Sequence, residues 1–201
     1  MTHLDTLTDA ILHTHFVEVE ASGRHVHLTE AQARQLFGHG LTAERPLSQP
    51  GQFLCRERVA LVGPKGRLDR VAVLGPARAE AQVEISLTDA RALGIDAPVR
   101  LSGDTAGTPG IAIEGPAGRL DLDHGVLAAQ RHIHMTPADA ARYGLQNGDT
   151  VSIQCLSARP LILQGVAVRV SDRFATYVHI DFDEANACGH RRGDLGRILH
   201  D

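Results

Sequence analysis

Aromatic residues and long apolar runs are scarce in this chain, and each shortage excludes a class of protein. Phenylalanine, tyrosine and tryptophan make up 3% of the 201 residues, and the formal net charge is -4. With few rings to stack on bases and no basic stripe, the sequence argues against a nucleic-acid partner. No apolar run approaches the roughly 18 residues of a membrane span, and no signal-peptide pattern opens the chain. We therefore expect a cytoplasmic protein with no membrane contact.

Cysteine is also rare, whereas histidine is not. Cys55, Cys155 and Cys188 are odd in number and have no Cys-x-x-Cys spacing. This pattern predicts three reduced, buried thiols rather than a disulfide framework. The chain has 12 histidines, and four of them fall in one repeated phrase.

Short strands and glycine-rich turns dominate the pattern along the chain. Alternating or β-branched runs such as VALVG, VAVLG, IAIEG and LILQGVAVRV indicate strands. The stretches GPKGRLD and GPAGRLD differ at one position and have the residues of tight turns. Capping residues and terminal glycines predict short helices in TEAQARQLFG, LTDARALG, TPADAARYG and DEANACG. We expect a mainly β fold with short helices, built as barrels or sandwiches. Residues 4–13 indicate a short amphipathic helix, either a docking element or a frayed end.

A ten-residue phrase occurs twice, about a hundred residues apart. RHVHLTEAQA begins at Arg24 and RHIHMTPADA begins at Arg131, and six of the ten positions are identical. The duplication continues further along, where VEISLTDARALG (83–94) matches VHIDFDEANACG (178–189). In that register Glu84 aligns with His179 and Arg78 aligns with Arg173. Each half therefore offers two histidines, one further metal-competent side chain and an arginine.

This arrangement is typical of a catalytic metal site. Residues two apart on a strand point to the same side, so both imidazoles of each His-x-His pair project together. Two histidines plus a distant histidine or glutamate make a three-ligand zinc site with one open coordination position. The predicted ligand sets are His25, His27 and Glu84, and His132, His134 and His179.

The arginines of the repeat have two interpretations each. Arg24 and Arg131 should point away from the histidines, and an ion pair is their favoured role over ligand contact. Arg78 lies on the approach to Glu84, and its planar fork suits a phosphate group. A surface salt bridge is the alternative role for Arg78.

Longer stretches resemble the PduL-type phosphate propanoyltransferases, a family of phosphotransacylases. They include RHVHL, LSQPGQF, VLGPAR, QVEISLTDAR, SGDTAGTPG, QRHIHM and HIDFDEANA, spread from about residue 17 to residue 189. The resemblance implies reversible acyl transfer between coenzyme A and inorganic phosphate, with acyl-CoA and phosphate as the partners. It also implies two packed six-stranded β-barrels related by the internal repeat, with two zinc ions at their interface. The implied domains are residues 14–23 with 130–199, residues 24–129, and a short N-terminal amphipathic segment, 1–13.

The family's functional residues can be carried over position by position. The implied zinc ligands are the two sets drawn from the repeat, and Arg78 matches the phosphate-binding arginine. From the resemblance and their motif positions, we predict Ser22, Arg45 and Asn186 as coenzyme A contacts. Gly23 departs from the family's usual Asn, and VHID replaces the family's MHID.

The resemblance also carries expectations about assembly and location. It implies a homodimer. Longer family members carry an N-terminal peptide that directs them into a bacterial microcompartment, and residues 4–13 are a short, imperfect version of it. The expected location is therefore the cytoplasm or a microcompartment lumen.

Two other function classes fit the same ligands. A two-zinc thioester hydrolase would need a bridging carboxylate, for which Asp181 is the one candidate. A non-catalytic metal-binding or acyl-carrier-binding module would need no reaction at all. For the transferase, we expect the coenzyme A sulfur at the cluster with Glu84, a phosphate oxygen at the all-histidine cluster, and phosphate held by Arg78.

Overall fold

The protein is described here from a computed structural model covering residues 16–199 and the isolated positions 4 and 8. The amphipathic segment expected over residues 4–13 lies outside the described residues apart from those two positions. The described residues are 42% strand and 17% helix, which confirms a mainly β protein with short helices. Within the described ranges, no helix has the length and apolar character to cross a bilayer.

Four short helices occur in the described chain where the sequence predicts them, although the fourth begins at Phe182, one residue before the predicted segment. They are α1 (Glu30–Phe37), α2 (Leu87–Leu93), α3 (Pro137–Tyr143) and α4 (Phe182–Cys188). The strands are β1 (Phe16–Ala21), β2 (His25–His27), β3 (Ala43–Pro46), β4 (Phe53–Val62), β5 (Arg67–Gly75), β6 (Gln82–Glu84), β7 (Val99–Arg100), β8 (Ile111–Glu114), β9 (Arg119–Leu122), β10 (Val126–Ala129), β11 (His132–Met135), β12 (Thr150–Leu156), β13 (Leu161–Val170), β14 (Tyr177–Ile180) and β15 (Leu195–Leu199).

The chain divides into two compact units. One, the split unit, comprises the described residues up to Ser22 together with those from Gln130 to Leu199, and the other, the central unit, is Gly23–Ala129. The split unit is a closed barrel of six strands in the order β1-β14-β11-β13-β12-β15. The central unit is a nine-stranded sheet, curled as a half-barrel, in the order β7-β10-β6-β2-β5-β4-β8-β9, with β3 paired to β4.

The internal repeat appears as matching strand arrangements in the two units. In the central unit β2 runs antiparallel to β6 and parallel to β5. In the split unit β11 runs antiparallel to β14 and parallel to β13. Each unit has its own apolar core, and the residue between the paired histidines belongs to it: Val26 and Ile133 are both 0% exposed. Each His-x-His strand is therefore anchored by its middle residue.

The helices begin and end as the capping pattern predicts. Thr29 caps α1 by accepting a hydrogen bond from the Gln32 backbone N–H, and Thr136 caps α3, which has Pro137 in its first turn. A glycine in the left-handed region follows the last residue of each helix, such as Gly38 with φ of 79°. These caps fix where each helix starts after its strand.

The two Gly-Pro-x-Gly turns have a second role beyond reversing the chain. The turn between β4 and β5 lies against the C-terminus of α2, where the Lys65 N–H donates to the Leu93 carbonyl at 3.0 Å. The turn between β8 and β9 lies equally against α1, where the Ala117 N–H donates to the Leu36 carbonyl at 2.9 Å. Each turn satisfies a carbonyl that the helix end leaves without an internal partner.

This close approach requires glycine, which gives a stability prediction. A Cβ at Gly115 would lie 2.4 Å from the Leu36 carbonyl oxygen, so Gly115→Ala should force the turn away from α1. We expect a loss of about 1–3 kcal/mol in the free energy of unfolding, measured by denaturant titration. Gly40→Ala is the matched control, because its Cβ would meet nothing closer than 3.5 Å. If both variants have the same free energy of unfolding, the turn does not need a residue without a Cβ at position 115.

Candidate metal centres and their surroundings

The two His-x-His strands hold their imidazoles as the strand pattern predicts. His25 and His27 on β2 are buried, with exposures of 5% and 2%. His132 and His134 on β11 are buried as well. Because Val26 and Ile133 point into the apolar cores, the histidines on either side of each project to the opposite face.

Strand register brings the third candidate ligand beside each pair. On the antiparallel ladder between β2 and β6, His25 is the direct partner of Glu84. On the corresponding ladder between β11 and β14, His132 is the direct partner of His179. The structure thus assembles both ligand sets that the sequence repeat predicts, each within one unit.

The first cluster consists of His25, His27 and Glu84. The Glu84 Oε1 atom lies 3.6 Å from the His25 Nε2 atom and 4.0 Å from the His27 Nε2 atom. The His25 Nδ1 atom lies 2.8 Å from the Gly23 carbonyl oxygen. Since a carbonyl only accepts, Nδ1 donates to it, and in the neutral ring this leaves Nε2, the nitrogen nearest Glu84, free to bind a metal. This backbone contact sets the tautomer that a metal ligand needs.

The charges within the first cluster shift all three pKa values. Burial alone would raise the pKa of Glu84, but His25, His27 and a hydrogen bond from Ser102 outweigh it and hold that pKa well below its usual range. Burial lowers the pKa of His25, yet Glu84 more than offsets this, and the net shift is upward. The pKa of His27 is lowered by burial first and then by His25 and Arg78. An ionised Glu84 and a neutral His27 are the forms that bind a metal.

The second cluster consists of three imidazole rings that lie close to one another. The ring centroids of His132, His134 and His179 are 4.6, 4.9 and 5.1 Å apart. The His132 Nδ1 atom lies 2.8 Å from the Gln130 carbonyl oxygen, which repeats the contact of His25. The His179 Nδ1 atom lies 3.5 Å from a carboxylate oxygen of Glu20. Carbonyl and carboxylate groups thus orient two of the three rings from outside the cluster.

Both clusters fit a zinc ion by their donor chemistry. In each, one nitrogen or oxygen ligand atom per residue lies within 4.8 Å of the others. Imidazole and carboxylate donors suit zinc, and three protein ligands leave one coordination position open. The identity of the ion stays a prediction.

The arginine before each His-x-His pair forms the ion pair that the sequence favours. Arg24 reaches Asp89 with two contacts of 2.8 and 2.9 Å, and the carboxylate of Asp89 is buried. Arg131 reaches Glu184 at 3.0 Å. Asp89 and Glu184 occupy the same position in α2 and α4, where each also completes the helix cap. Each ion pair therefore connects the residue before a His-x-His strand to the helix that follows the third candidate ligand, which is α2 in the central unit and α4 in the split unit.

Arg78 lies beside the first cluster. Its charge helps to lower the pKa of His27 and opposes the upward shift in the pKa of His25, and its Nη1 atom is 3.5 Å from the Ser102 hydroxyl. Its repeat counterpart Arg173 is exposed in the other unit. The structure therefore places the Arg78 guanidinium within electrostatic reach of the first cluster.

The predicted coenzyme A contacts are placed in different units. Ser22 follows β1 in the split unit, where its N–H donates to the Ile180 carbonyl at 2.8 Å, and Asn186 is exposed on α4. Arg45 is exposed on β3 of the central unit. Their role as coenzyme A contacts stays a prediction. Asp181, the candidate bridging carboxylate of a hydrolase, caps α4 by accepting from the Glu184 N–H at 2.8 Å.

Two side chains that contact Glu84 were not predicted from the sequence. Gln82 and Ser102 both contact the Glu84 carboxylate, at 2.5 and 2.8 Å. Gln82 stands two residues before Glu84 on β6 and so shares its face, which is a signal that the sequence contains. Ser102 comes from a turn 18 residues later, and no local periodicity indicates its position.

Comparisons with known proteins identify the family of this chain. The family model described as phosphate propanoyltransferase matches residues 18–191. A phosphate propanoyltransferase of Enterococcus faecalis is 54% identical over 90% of this chain and 87% of its own length. Those of Clostridioides difficile and Thermotoga maritima are 52% and 51% identical, covering 92% and 90% of this chain and 89% and 88% of their own lengths. The chain therefore belongs to the phosphate propanoyltransferase family of acyltransferases.

Proposed function

We propose that the protein converts acyl-CoA, either propanoyl- or acetyl-CoA, and phosphate reversibly into acyl phosphate and coenzyme A, using two zinc ions. The observation that carries this proposal is the pair of buried three-ligand clusters, each on the same strand arrangement in its own unit. The relatives named phosphate propanoyltransferase support the reaction class. The imidazole and carboxylate donors of the two clusters support zinc as the metal.

The chemistry divides among groups that the chain supplies. When bound, zinc would supply a Lewis acid whose open position accepts a thiolate or an anionic oxygen. Glu84 brings a negative charge to the first cluster, which suits a sulfur that must later leave. The three neutral imidazoles of the second cluster leave more positive charge for a phosphate oxygen. Arg78 would hold phosphate through its two-pronged guanidinium.

Acyl transfer can then proceed directly between the substrates. A phosphate oxygen attacks the thioester carbonyl carbon, the carbon–sulfur bond breaks, and coenzyme A leaves with the bonding pair and gains the proton that phosphate loses. Cys55 and Cys155 are buried, and burial raises the pKa of each thiol to about 12. Such thiols keep their protons at neutral pH and are poor nucleophiles. This supports a reaction without an acyl-enzyme intermediate.

A thiol-release assay separates the transferase from the two other classes. With acetyl-, propanoyl- and butanoyl-CoA as substrates, we expect coenzyme A release that depends on added phosphate or arsenate. Release in water alone would identify a hydrolase, and no release would identify a binding module. The ratio of kcat/KM among the three thioesters would define the acyl preference.

The difference between the clusters at Glu84 gives a prediction about the leaving group. In Glu84→His, a neutral imidazole replaces a charged ligand, so the first site should become more electropositive and hold the thiolate more tightly. We expect zinc to remain bound, turnover towards acyl phosphate to fall, and coenzyme A to become a stronger product inhibitor. Zinc content, turnover and the coenzyme A inhibition constant test this. Parental turnover and inhibition with two zinc ions bound would remove the reason for placing the sulfur at this cluster.

Assembly and location complete the proposal. We infer a homodimer in the cytoplasm or a microcompartment lumen from the family resemblance and the N-terminal segment. Light scattering would test the dimer by finding twice the 21.6 kDa mass of the chain. Fusion of residues 1–15 to a fluorescent protein would test targeting in cells that form microcompartments.

A further inference from the structure

A small hydrogen-bond network surrounds the Glu84 carboxylate in the central unit. The Gln82 amide nitrogen donates to Glu84 Oε1 at 2.5 Å and to the Ser102 hydroxyl oxygen at 2.9 Å. The Ser102 hydroxyl donates in turn to the same Glu84 oxygen at 2.8 Å. Two donors therefore converge on one oxygen of the only carboxylate among the candidate ligands.

The direction of every hydrogen bond in this network is fixed. The Gly103 backbone N–H donates to the Gln82 amide oxygen at 2.7 Å. This leaves the NH₂ end of Gln82 facing Glu84 and Ser102, because an N–H cannot bond to the nitrogen end of the amide. Ser102 then accepts from Gln82 and, at 3.5 Å, from Arg78, so its own proton goes to Glu84.

A tight turn presents the second half of the network. The Asp104 N–H donates to the Leu101 carbonyl at 2.9 Å, which closes a turn around Ser102 and Gly103. Gly103 has φ of 100°, a conformation that favours glycine. The turn directs both the Ser102 hydroxyl and the Gly103 N–H to β6, so the network joins a loop to the strand that carries Glu84.

We propose that Gln82 and Ser102 are positioning residues that hold the Glu84 carboxylate in the orientation needed to bind the metal of the first cluster. The inference rests on the proposed metal binding and assigns these two side chains a role within it. A glutamate carboxylate can rotate about the bond that joins it to the side chain. Hydrogen bonds from Gln82 and Ser102 restrict this rotation, so less conformational freedom is lost when the metal binds. Through Ser102, the same network ties the position of Glu84 to that of Arg78.

In the second cluster, the position equivalent to Gln82 carries a different residue. On the β2–β6 ladder His27 is the partner of Gln82, and on the β11–β14 ladder His134 is the partner of Tyr177. The unit whose third candidate ligand is an imidazole thus has a tyrosine at this position. The unit whose third candidate ligand is a carboxylate has an amide there.

The test measures zinc affinity at the first cluster alone. In the full-length chain carrying His134→Ala, one zinc should remain, and its dissociation constant is measured by competition with a chelator. Adding Ser102→Ala or Gln82→Leu should raise that constant about 10- to 100-fold. Ser102→Thr keeps the hydroxyl and should stay within about threefold of the parent. A dissociation constant unchanged within about twofold in both deletion variants would overturn the proposal.

Two controls separate this result from other failures. In a His25→Ala background the remaining zinc belongs to the second cluster, and Ser102→Ala should leave its affinity unchanged. A similar loss there would show that Ser102 acts on general stability and would also overturn the proposal. If the parent chain binds no zinc at all, the proposed metal function fails. If it binds two ions tightly, and neither Ser102→Ala nor Gln82→Leu changes the affinity of the first cluster, only this inference is refuted.

Discussion

His134→Ala should remove one of two zinc ions per chain and nearly all acyl transfer activity. His134 is one of three ligands in the second cluster, and two remaining imidazoles cannot hold zinc tightly. The first cluster lies in the central unit, whereas His134 lies in the split unit. The variant should therefore keep one ion, which elemental analysis of dialysed protein would measure together with kcat for phosphate-dependent thiol release.

The control for this variant is a histidine outside both clusters. His124 is exposed and contacts Glu80, so His124→Ala should keep two ions and parental activity. His134 also stacks on Phe174 with ring centroids 4.0 Å apart, so some packing is lost as well, and circular dichroism should confirm that the barrel still folds. A folded His134→Ala protein with two ions would refute the second metal site.

The ligand clusters could be predicted from sequence because two simple rules determine them. Strand alternation places both imidazoles of each pair on one face, and the internal repeat identifies Glu84 and His179 as equivalent positions. The structure adds the register, in which His25 faces Glu84 and His132 faces His179. Periodicity and duplication can both be read directly from the sequence, and they are enough to predict which side chains the fold brings together.

The surroundings of the clusters depend on contacts that neither rule describes. Ser102 reaches Glu84 because a turn far along the chain packs beside β6, and only the folded chain brings them together. The Gly-Pro-x-Gly stretches were predicted as turns, but their hydrogen bonds to the ends of α1 and α2 depend on tertiary packing. Short strands such as β7 and β10 also lack a pattern long enough to recognise.

Arg78→Ala should lower kcat/KM for phosphate on the order of a hundredfold or more and leave the zinc content unchanged. The guanidinium lies beside the first cluster, close to Ser102, but it is not among the candidate ligands. If it holds phosphate for attack, its loss removes a preorganised positive charge that stabilises the transition state. Coenzyme A binding should change much less, because the sulfur is assigned to the cluster. Steady-state kinetics with varied phosphate, together with coenzyme A inhibition and elemental analysis, would measure all three quantities.

Two further variants distinguish phosphate binding from a structural role for Arg78. Arg78→Lys keeps the charge but loses the planar fork, so it should retain activity between that of alanine and that of the parent. Arg67→Ala removes an exposed arginine of the same unit that pairs with Asp69 and Glu114, and it should leave phosphate kinetics unchanged. A parental KM and kcat for phosphate in Arg78→Ala would assign this arginine to the structure alone. A loss shared equally by phosphate and coenzyme A would instead indicate that Arg78 acts on the cluster through Ser102.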